Sequence, residues 1–139
     1  MVFEIFTLGS VGPLNVGMDR EKVREILGGG YHEFKKTLAA DNTTDDYGVY
    51  RIHVYYDGDD KVKGVEFLSG SDVFWNGMKL VGEPSNVISE FFLNNGFKVE
   101  VDAAGFYVDE LGMGFYAPDV EDCDVDAIIK SLYLDLSVS

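Results

Sequence analysis

The sequence has little cysteine, few basic residues and no long apolar run. Cys123 is the only cysteine in 139 residues, so the chain cannot form an intramolecular disulfide bond. No apolar run approaches the roughly eighteen residues that a membrane-spanning helix needs. Residues 1–9 lack the basic and apolar regions of a secretory signal. These absences predict a cytoplasmic protein that does not associate with membranes.

Basic residues are scarce and unevenly placed. The chain has 11 Lys and Arg against 25 Asp and Glu, which gives a net charge of −14. Residues 64–139 hold 14 acidic residues against Lys79, Lys98 and Lys130, a local net charge of −11. Such a surface repels polyanions and attracts cations. The charge therefore argues against a nucleic-acid partner and favours a basic protein partner, although it would also serve solubility alone.

Catalytic signatures are missing as well. The serines in residues 9–12 and 70–72 lack the strand-to-helix elbow of a nucleophilic serine. Cys123 stands among carboxylates, which disfavour the thiolate form. Only His32 and His53 could serve as bases, and the simpler interpretation of each is a partly exposed strand residue. With so many carboxylates, a pair of them does not indicate glycoside hydrolysis. The sequence predicts no catalytic residue and no enzyme activity.

Two acidic segments and one glycine run are the candidate ligand sites. Residues 119–126 place oxygen atoms at alternating positions, as a calcium loop does, but lack its turn glycine and its glutamate at the twelfth position. Residues 57–60 are too short to wrap around an ion. Glycines 28–30 follow a predicted helix instead of opening one, so they indicate a helix end and not a phosphate cradle. The sequence predicts solvated acidic loops, with no metal site and no cofactor.

Apolar and aromatic residues, by contrast, are abundant. They make up 46% and 14% of the chain, which is too much for a disordered acidic protein. Two segments, 20–27 and 84–95, have the spacing of helices with one apolar face. Asp19 is placed to cap the first helix, and Gly28 to end it. The residues expected to be buried on the two helices are Val23, Ile26, Leu27, Val87, Ile88, Phe91 and Phe92.

Most of the remaining chain is rich in strand-forming residues. The predicted strands are 3–8, 31–38, 49–56, 64–68, 73–75, 97–101, 106–108, 112–116 and 129–138. In the last of them, Leu132 and Leu134 alternate with Tyr133 and Asp135, which predicts one buried face. Residues 57–60 are a predicted hairpin turn. The order of helix, strands, acidic turn and strand occurs twice. We therefore expect one α+β domain over residues 1–139, with two helices packed on a largely antiparallel sheet and built as two αβββ-like halves.

Two parts of the chain resemble known families. Residues 17–28 match the pattern Gly-Met-x-x-x-x-Val-x-x-x-Leu-Gly, which resembles the opening helix in the repeats of β-lactamase-inhibitor-like proteins. More broadly, the layout is similar to that of small acidic immunity proteins of bacterial polymorphic-toxin and contact-dependent-inhibition systems. The segments that carry this likeness are 56–59, 64–67 and 112–119. The likeness implies a non-enzymatic protein that binds and neutralises a cognate toxin.

The acidic segments and three aromatic residues are the predicted partner-binding sites. Dense carboxylates would steer a basic partner toward the surface, and aromatic side chains would anchor it. The candidates are Asp57, Asp59, Asp60, Trp75, Tyr107, Tyr116, Asp119, Glu121, Asp122, Asp124 and Asp126. The alternative for the aromatic residues is core packing. Two other functions fit the same sequence: a general interaction or scaffolding module, and a small enzyme or ligand-binding domain with an unrecognised pocket.

Overall fold

The structure, a computed structural model, describes residues 1–118 and 127–139 and is dominated by strands. Strands make up 41% and helices 16% of the described residues, so the sheet is the larger part of this α+β arrangement. In chain order the elements are β1 (Val2–Ile5), β2 (Ser10–Val11), β3 (Leu14–Asn15), α1 (Arg20–Leu27), β4 (Tyr31–Phe34), β5 (Thr44–Tyr47), β6 (Ile52–Tyr56), β7 (Val62–Leu68), β8 (Asp72–Trp75), β9 (Met78–Lys79), α2 (Ser85–Asn94), β10 (Glu100–Asp102), β11 (Gly105–Val108), a short 3-10 helix (Asp109–Leu111), β12 (Met113–Tyr116) and β13 (Ser131–Asp135).

Eight of the strands form one antiparallel sheet made of two halves. Its spatial order is β10-β11-β12-β13-β7-β6-β5-β4, so each half follows one helix and contributes four neighbouring strands. The halves meet at the centre, where β13 pairs with β7 and places Leu134 opposite Val65. The expected division into halves is therefore present in the order of elements. Each half has four strands and not the three of an αβββ unit, and β5 in the first half was not predicted.

One face of the large sheet is buried beneath a second layer. That layer consists of the two helices, the three-stranded sheet β1-β8-β9 and the β2-β3 hairpin. Phe3 of β1 lies with its ring 5.5 Å from that of Phe67 in β7, and Phe92 of α2 lies 5.8 Å from Phe115 in β12. β1 and β8 pair in parallel, which is the one exception to the antiparallel arrangement in the described residues. The expected packing of helices on an antiparallel sheet is thus confirmed in its coarse form.

The helices match their predicted positions, with two corrections in detail. α1 spans Arg20–Leu27 as expected, and its Val23 and Leu27 are buried. Asp19 does not cap it through its side chain, because its carboxylate pairs with Lys61 instead. In α2, Ile88 and Phe92 are fully buried. The prediction that Val87 is buried is wrong, because this side chain is 45% exposed. The buried face of this short helix follows Ser85, Ile88 and Phe92, and Val87 lies beside that face.

Alternation along β13 agrees with the prediction. Leu132 and Leu134 are buried, and Tyr133 and Asp135 lie on the opposite face of the sheet. The strand itself is shorter than residues 129–138 and ends at Asp135. The turn between β6 and β7 is also confirmed: the Asp57 amide donates to the Lys61 carbonyl, and Asp60 adopts a φ of 60°. Both features bear on the site, because they fix which side chains point away from the core.

Candidate functional site

The second face of the large sheet is a continuous surface that we call the open face. The strand registers align one row of residues across all eight strands. From β4 to β10 that row is His32, Asp46, His53, Glu66, Tyr133, Gly114, Tyr107 and Glu100. Residues two positions away along each strand share this face, since side chains alternate along a strand. The open face therefore carries mainly carboxylates, histidines and tyrosines, in contrast to the apolar buried face.

Glu66 in β7 is the centre of a hydrogen-bonded cluster on the open face. Its Oε1 atom lies 3.1 Å from His53 Nδ1, accepts a hydrogen bond from the Tyr55 hydroxyl at 3.0 Å, and lies 3.5 Å from Lys36 Nζ. On its other side, His53 Nε2 is 3.5 Å from Asp46 Oδ1. The bond to His53, followed by the charge of Lys36 and the bond to Tyr55, lowers the pKa of Glu66 against an opposing effect of burial. The cluster therefore links side chains of β5, β6 and β7 in the middle of the open face.

A groove lies next to this cluster, over β11, β12 and β13. It has a volume of about 790 Å³ and opens along the sheet surface. Its lining includes three tyrosines and three carboxylates but no Lys or Arg among the described residues. These six residues are Tyr107, Tyr116, Tyr133, Glu66, Asp109 and Asp135. An aromatic groove with only acidic charges is suited to cationic groups.

Glycines form part of the groove floor and let the tyrosine rings lie close to the sheet. Gly114 is the register partner of both Tyr107 and Tyr133, so it separates the two rings. A Cβ added at Gly114 would lie 3.3 Å from the ring of Tyr107. Tyr133 lies over Gly64 of β7, where an added Cβ would collide with the tyrosine hydroxyl. The two glycines are therefore needed for the shape of the groove.

Burial and nearby carboxylates raise the pKa of two groove tyrosines, Tyr133 and Tyr107. Burial, followed by the charges of Asp135 and Glu66, raises the pKa of Tyr133 to about 12. The pKa of Tyr107 is raised mainly by the charge of Asp102 and a hydrogen bond to it, with a smaller effect of Asp109. Both tyrosines are therefore neutral at physiological pH. The same negative potential that disfavours a phenolate favours a bound cation.

Of the predicted aromatic anchors, the structure places two on the open face and one in the core. Tyr107 and Tyr116 line the groove and are 41% and 48% exposed. Trp75 lies on β8 in the second layer, is 9% exposed, and packs its ring 5.0 Å from that of Phe92. Trp75 therefore offers little surface to a partner, and core packing accounts for it.

The predicted acidic turn at residues 57–60 lies apart from the groove. Asp57 Oδ1 accepts hydrogen bonds from the amides of Asp59 and Lys61, so this carboxylate closes the turn. Asp60 Oδ1 accepts a hydrogen bond from Asn42 and lies 3.3 Å from Arg20 Nε. The structure does not bring these residues together with Tyr107 and Tyr116. Two of the three predicted carboxylates in this turn thus have local structural roles.

The largest predicted acidic cluster lies outside the described residues. It comprises Asp119, Glu121, Asp122, Asp124 and Asp126. Within residues 1–118 and 127–139, no group of three or more His, Cys, Asp or Glu side chains is arranged to hold a metal ion.

Several groove residues were not predicted as site residues. Tyr133 and Asp135 were assigned to the face away from the core by the alternation in β13, but that pattern does not show which such residues share a groove. Glu66 reaches the groove through the pairing of β7 with β13, and Asp109 through the short 3-10 helix that follows β11. The alternation in β13 was the one sequence signal for these groove residues. Which strands become neighbours, and so which residues share the groove, depends on the folded sheet.

Comparison of the chain with protein-family models, with curated proteins and with solved structures found no match. In the part of the chain that the structure describes, neither helix is long and apolar enough to cross a membrane.

Proposed function

We propose that this chain is a non-enzymatic acidic binding protein whose open face binds and neutralises a basic partner protein, a cognate bacterial toxin domain. The observation that carries the proposal is the groove over β11, β12 and β13, where exposed tyrosines stand among carboxylates without any lining Lys or Arg. Large exposed aromatic residues are typical anchors of protein interfaces. The resemblance to small acidic immunity proteins supplies the class of partner.

Charge and aromatic surface would contribute at different stages of binding. The net charge of −11 in residues 64–139 produces a long-range field that accelerates encounter with a cationic protein. Tyr107 and Tyr116 then lose contact with water and slow dissociation. An active cleft that holds phosphate groups with Lys and Arg would be complementary to such a surface. An acidic inhibitor of this kind blocks its partner by occupying that cleft.

One alternative has a specific observation in its favour. A groove of about 790 Å³ is large enough for a small molecule, and its lining would suit an organic cation. A ligand-binding domain is therefore the second candidate. The two functions differ in what they require of the open face: a toxin inhibitor needs a protein partner, whereas a ligand-binding domain does not.

The proposal is tested with the protein encoded beside this chain. Co-expression should protect a bacterial host from the toxicity of that neighbour, and the purified proteins should bind each other. Replacing Asp122, Asp124 and Asp126 together by Asn should slow association and change dissociation less, because the lost negative charge would act mainly through long-range attraction. Raising the salt concentration to physiological ionic strength, where the Debye length is about 8 Å, should reduce the difference in association rate between wild type and variant. Absence of both protection and binding would contradict the proposal.

A further inference from the structure

Asp109 and Asp135 give the groove carboxylates that no basic residue neutralises in the described part of the chain. Neither has a Lys, Arg or His within 4.0 Å among residues 1–118 and 127–139. Asp135 Oδ1 accepts hydrogen bonds from the amide and hydroxyl of Ser137. The acidic groups on the other side of the sheet are different: Asp45 and Glu33 are both paired with Arg24. The groove is thus a place where negative charge is left for a ligand.

The tyrosine rings are arranged around the same space. Tyr107 and Tyr133 come from strands on either side of β12, and Gly114 between them contributes no side chain. Tyr116 lies two residues after Gly114 in β12 and therefore on the same face of the sheet. A planar cation entering from solvent would meet aromatic faces and carboxylates together. Cations bind over aromatic rings, and the attraction is strengthened where water is excluded.

We propose that the groove receives an arginine side chain of the partner protein, with its guanidinium group stacked on a tyrosine ring and hydrogen-bonded to the carboxylate of Asp109 or Asp135. This inference rests on the proposed function and specifies its anchor. Arginine fits better than lysine because its guanidinium is planar, less strongly hydrated and able to bond a carboxylate through two N–H groups. The groove is larger than one side chain, so the residues flanking the arginine would lie along it.

The inference is tested by NMR titration of the whole chain with short blocked peptides, which requires no knowledge of the partner. The probes are Gly-Arg-Gly, the same peptide with citrulline, and the same peptide with lysine. Citrulline keeps the shape of arginine but is neutral. The arginine peptide should shift the amide signals of Gly112 and Gly114, while the signals of Gly48 and Gly58 stay in place. The lysine peptide should bind about three- to fivefold more weakly, and the citrulline peptide should cause no shift.

Two variants connect the shifts to the groove. Asp109→Asn should weaken binding of the arginine peptide about three- to fivefold, and Tyr107→Leu should do the same by removing the ring. The matched control is Asp41→Asn, which removes the same charge from an exposed residue between β4 and β5 at the far edge of the sheet. The control should bind the peptide as the wild type does. The dispersion of the amide spectrum verifies that each variant is folded.

Several outcomes would overturn the inference. Equal shifts with the arginine and citrulline peptides would show that the groove does not recognise charge. Equal binding of the lysine and arginine peptides would show that stacking of the guanidinium group does not contribute to binding. Tighter binding of the free small cation agmatine than of the peptide would assign the groove to a small ligand. If no peptide binds but the neighbouring protein does, the anchor is refuted and the proposed function stands. If the peptide binds and the neighbouring protein does not, the proposed function fails by itself.

Discussion

The hydroxyl group of Tyr133 in β13 lies over Gly64 in β7, in the space that a side chain at position 64 would occupy. This contact joins the two halves of the large sheet, because β7 is the last strand of the first half and β13 the last of the second. The Tyr133 ring also packs edge-on against Tyr55, with 5.5 Å between centroids. The position of one groove tyrosine is thus set by a glycine in the opposite half.

Gly64→Ala should destabilise the protein by about 1–2 kcal/mol, because the added methyl group displaces Tyr133 and has little room beside the Leu134 carbonyl oxygen, 3.1 Å away. Urea unfolding measures the change. The control is Gly58→Ala, in the β6–β7 turn, where an added Cβ meets nothing within 4 Å. The control should change the free energy of unfolding by less than about 0.5 kcal/mol. Equal effects of the two substitutions would contradict the packing of Tyr133 on Gly64.

Asp45→Asn should cost about 2–3 kcal/mol of stability. Asp45 is fully buried in β5, where Arg24 donates to its two oxygens at 2.8 and 2.9 Å and the Tyr56 hydroxyl donates at 3.1 Å. The amide would keep the size of the side chain but weaken these bonds to charge. The neighbour Asp46, on the open face, provides a matched control, since its nearest basic partner is His53 at 3.5 Å. Asp46→Asn should cost less than about 1 kcal/mol of stability. A larger loss of stability for Asp46→Asn than for Asp45→Asn would be inconsistent with this structure.

The stability of the protein should fall as the pH drops below about 4.5, in part because of Glu66. Its pKa in the folded state lies below the ordinary value of 4.5, so its contribution to stability is fully present above that value and is lost as the pH falls through the lowered pKa. Its neighbours on the open face are His53, Tyr55, Lys36 and Tyr133.

The corresponding variant is Glu66→Gln, with exposed Glu90→Gln of α2 as control. Melting temperatures between pH 7 and pH 3 should show wild type and the Glu90 variant losing stability together. The Glu66→Gln variant should have a lower melting temperature at pH 7 and should lose less of it as the pH falls. A constant difference in melting temperature between wild type and Glu66→Gln over this pH range would show that the Glu66 carboxylate does not cause the loss of stability.

Leu134→Asp should unfold the domain, because it places an unpaired charge at a position that is 3% exposed in the centre of the sheet. The control is Val101→Asp in the edge strand β10, where the side chain is 68% exposed. Circular dichroism during heating should show a cooperative transition for the control only. A melting temperature of the Leu134 variant equal to that of wild type would refute its placement.

The fold was predictable where hydrophobic periodicity is strong. Helix α1 and the alternation in β13 follow directly from the spacing of their apolar residues. β5 was missed because Asp45 and Asp46 are poor strand formers, and the burial of Asp45 depends on Arg24 from a distant helix. Local sequence does not contain that compensation. The parallel pairing of β1 with β8 was missed for a similar reason, since a short apolar run does not show its direction.

The candidate site was predictable only in part. Tyr107 and Tyr116 were chosen as anchors and lie in the groove, but Trp75 was chosen on the same grounds and is in the core. An aromatic residue in a short strand gives no sign of which layer the strand joins. Gly64 and Gly114 matter because of the rings that lie on them, and these contacts require the strand order of the complete sheet.

The central claim is that the open face binds the partner, and its most direct test is the affinity of a variant altered only on that face. Tyr107→Ala combined with Tyr116→Ala should weaken binding to the proposed partner, the protein encoded beside this chain, by about tenfold or more, mainly through faster dissociation. Phe6→Ala, which removes a 78% exposed aromatic side chain that follows β1 in the second layer, should leave the dissociation constant unchanged. Unchanged affinity of the tyrosine variant together with weaker binding of the Phe6 variant would contradict the account.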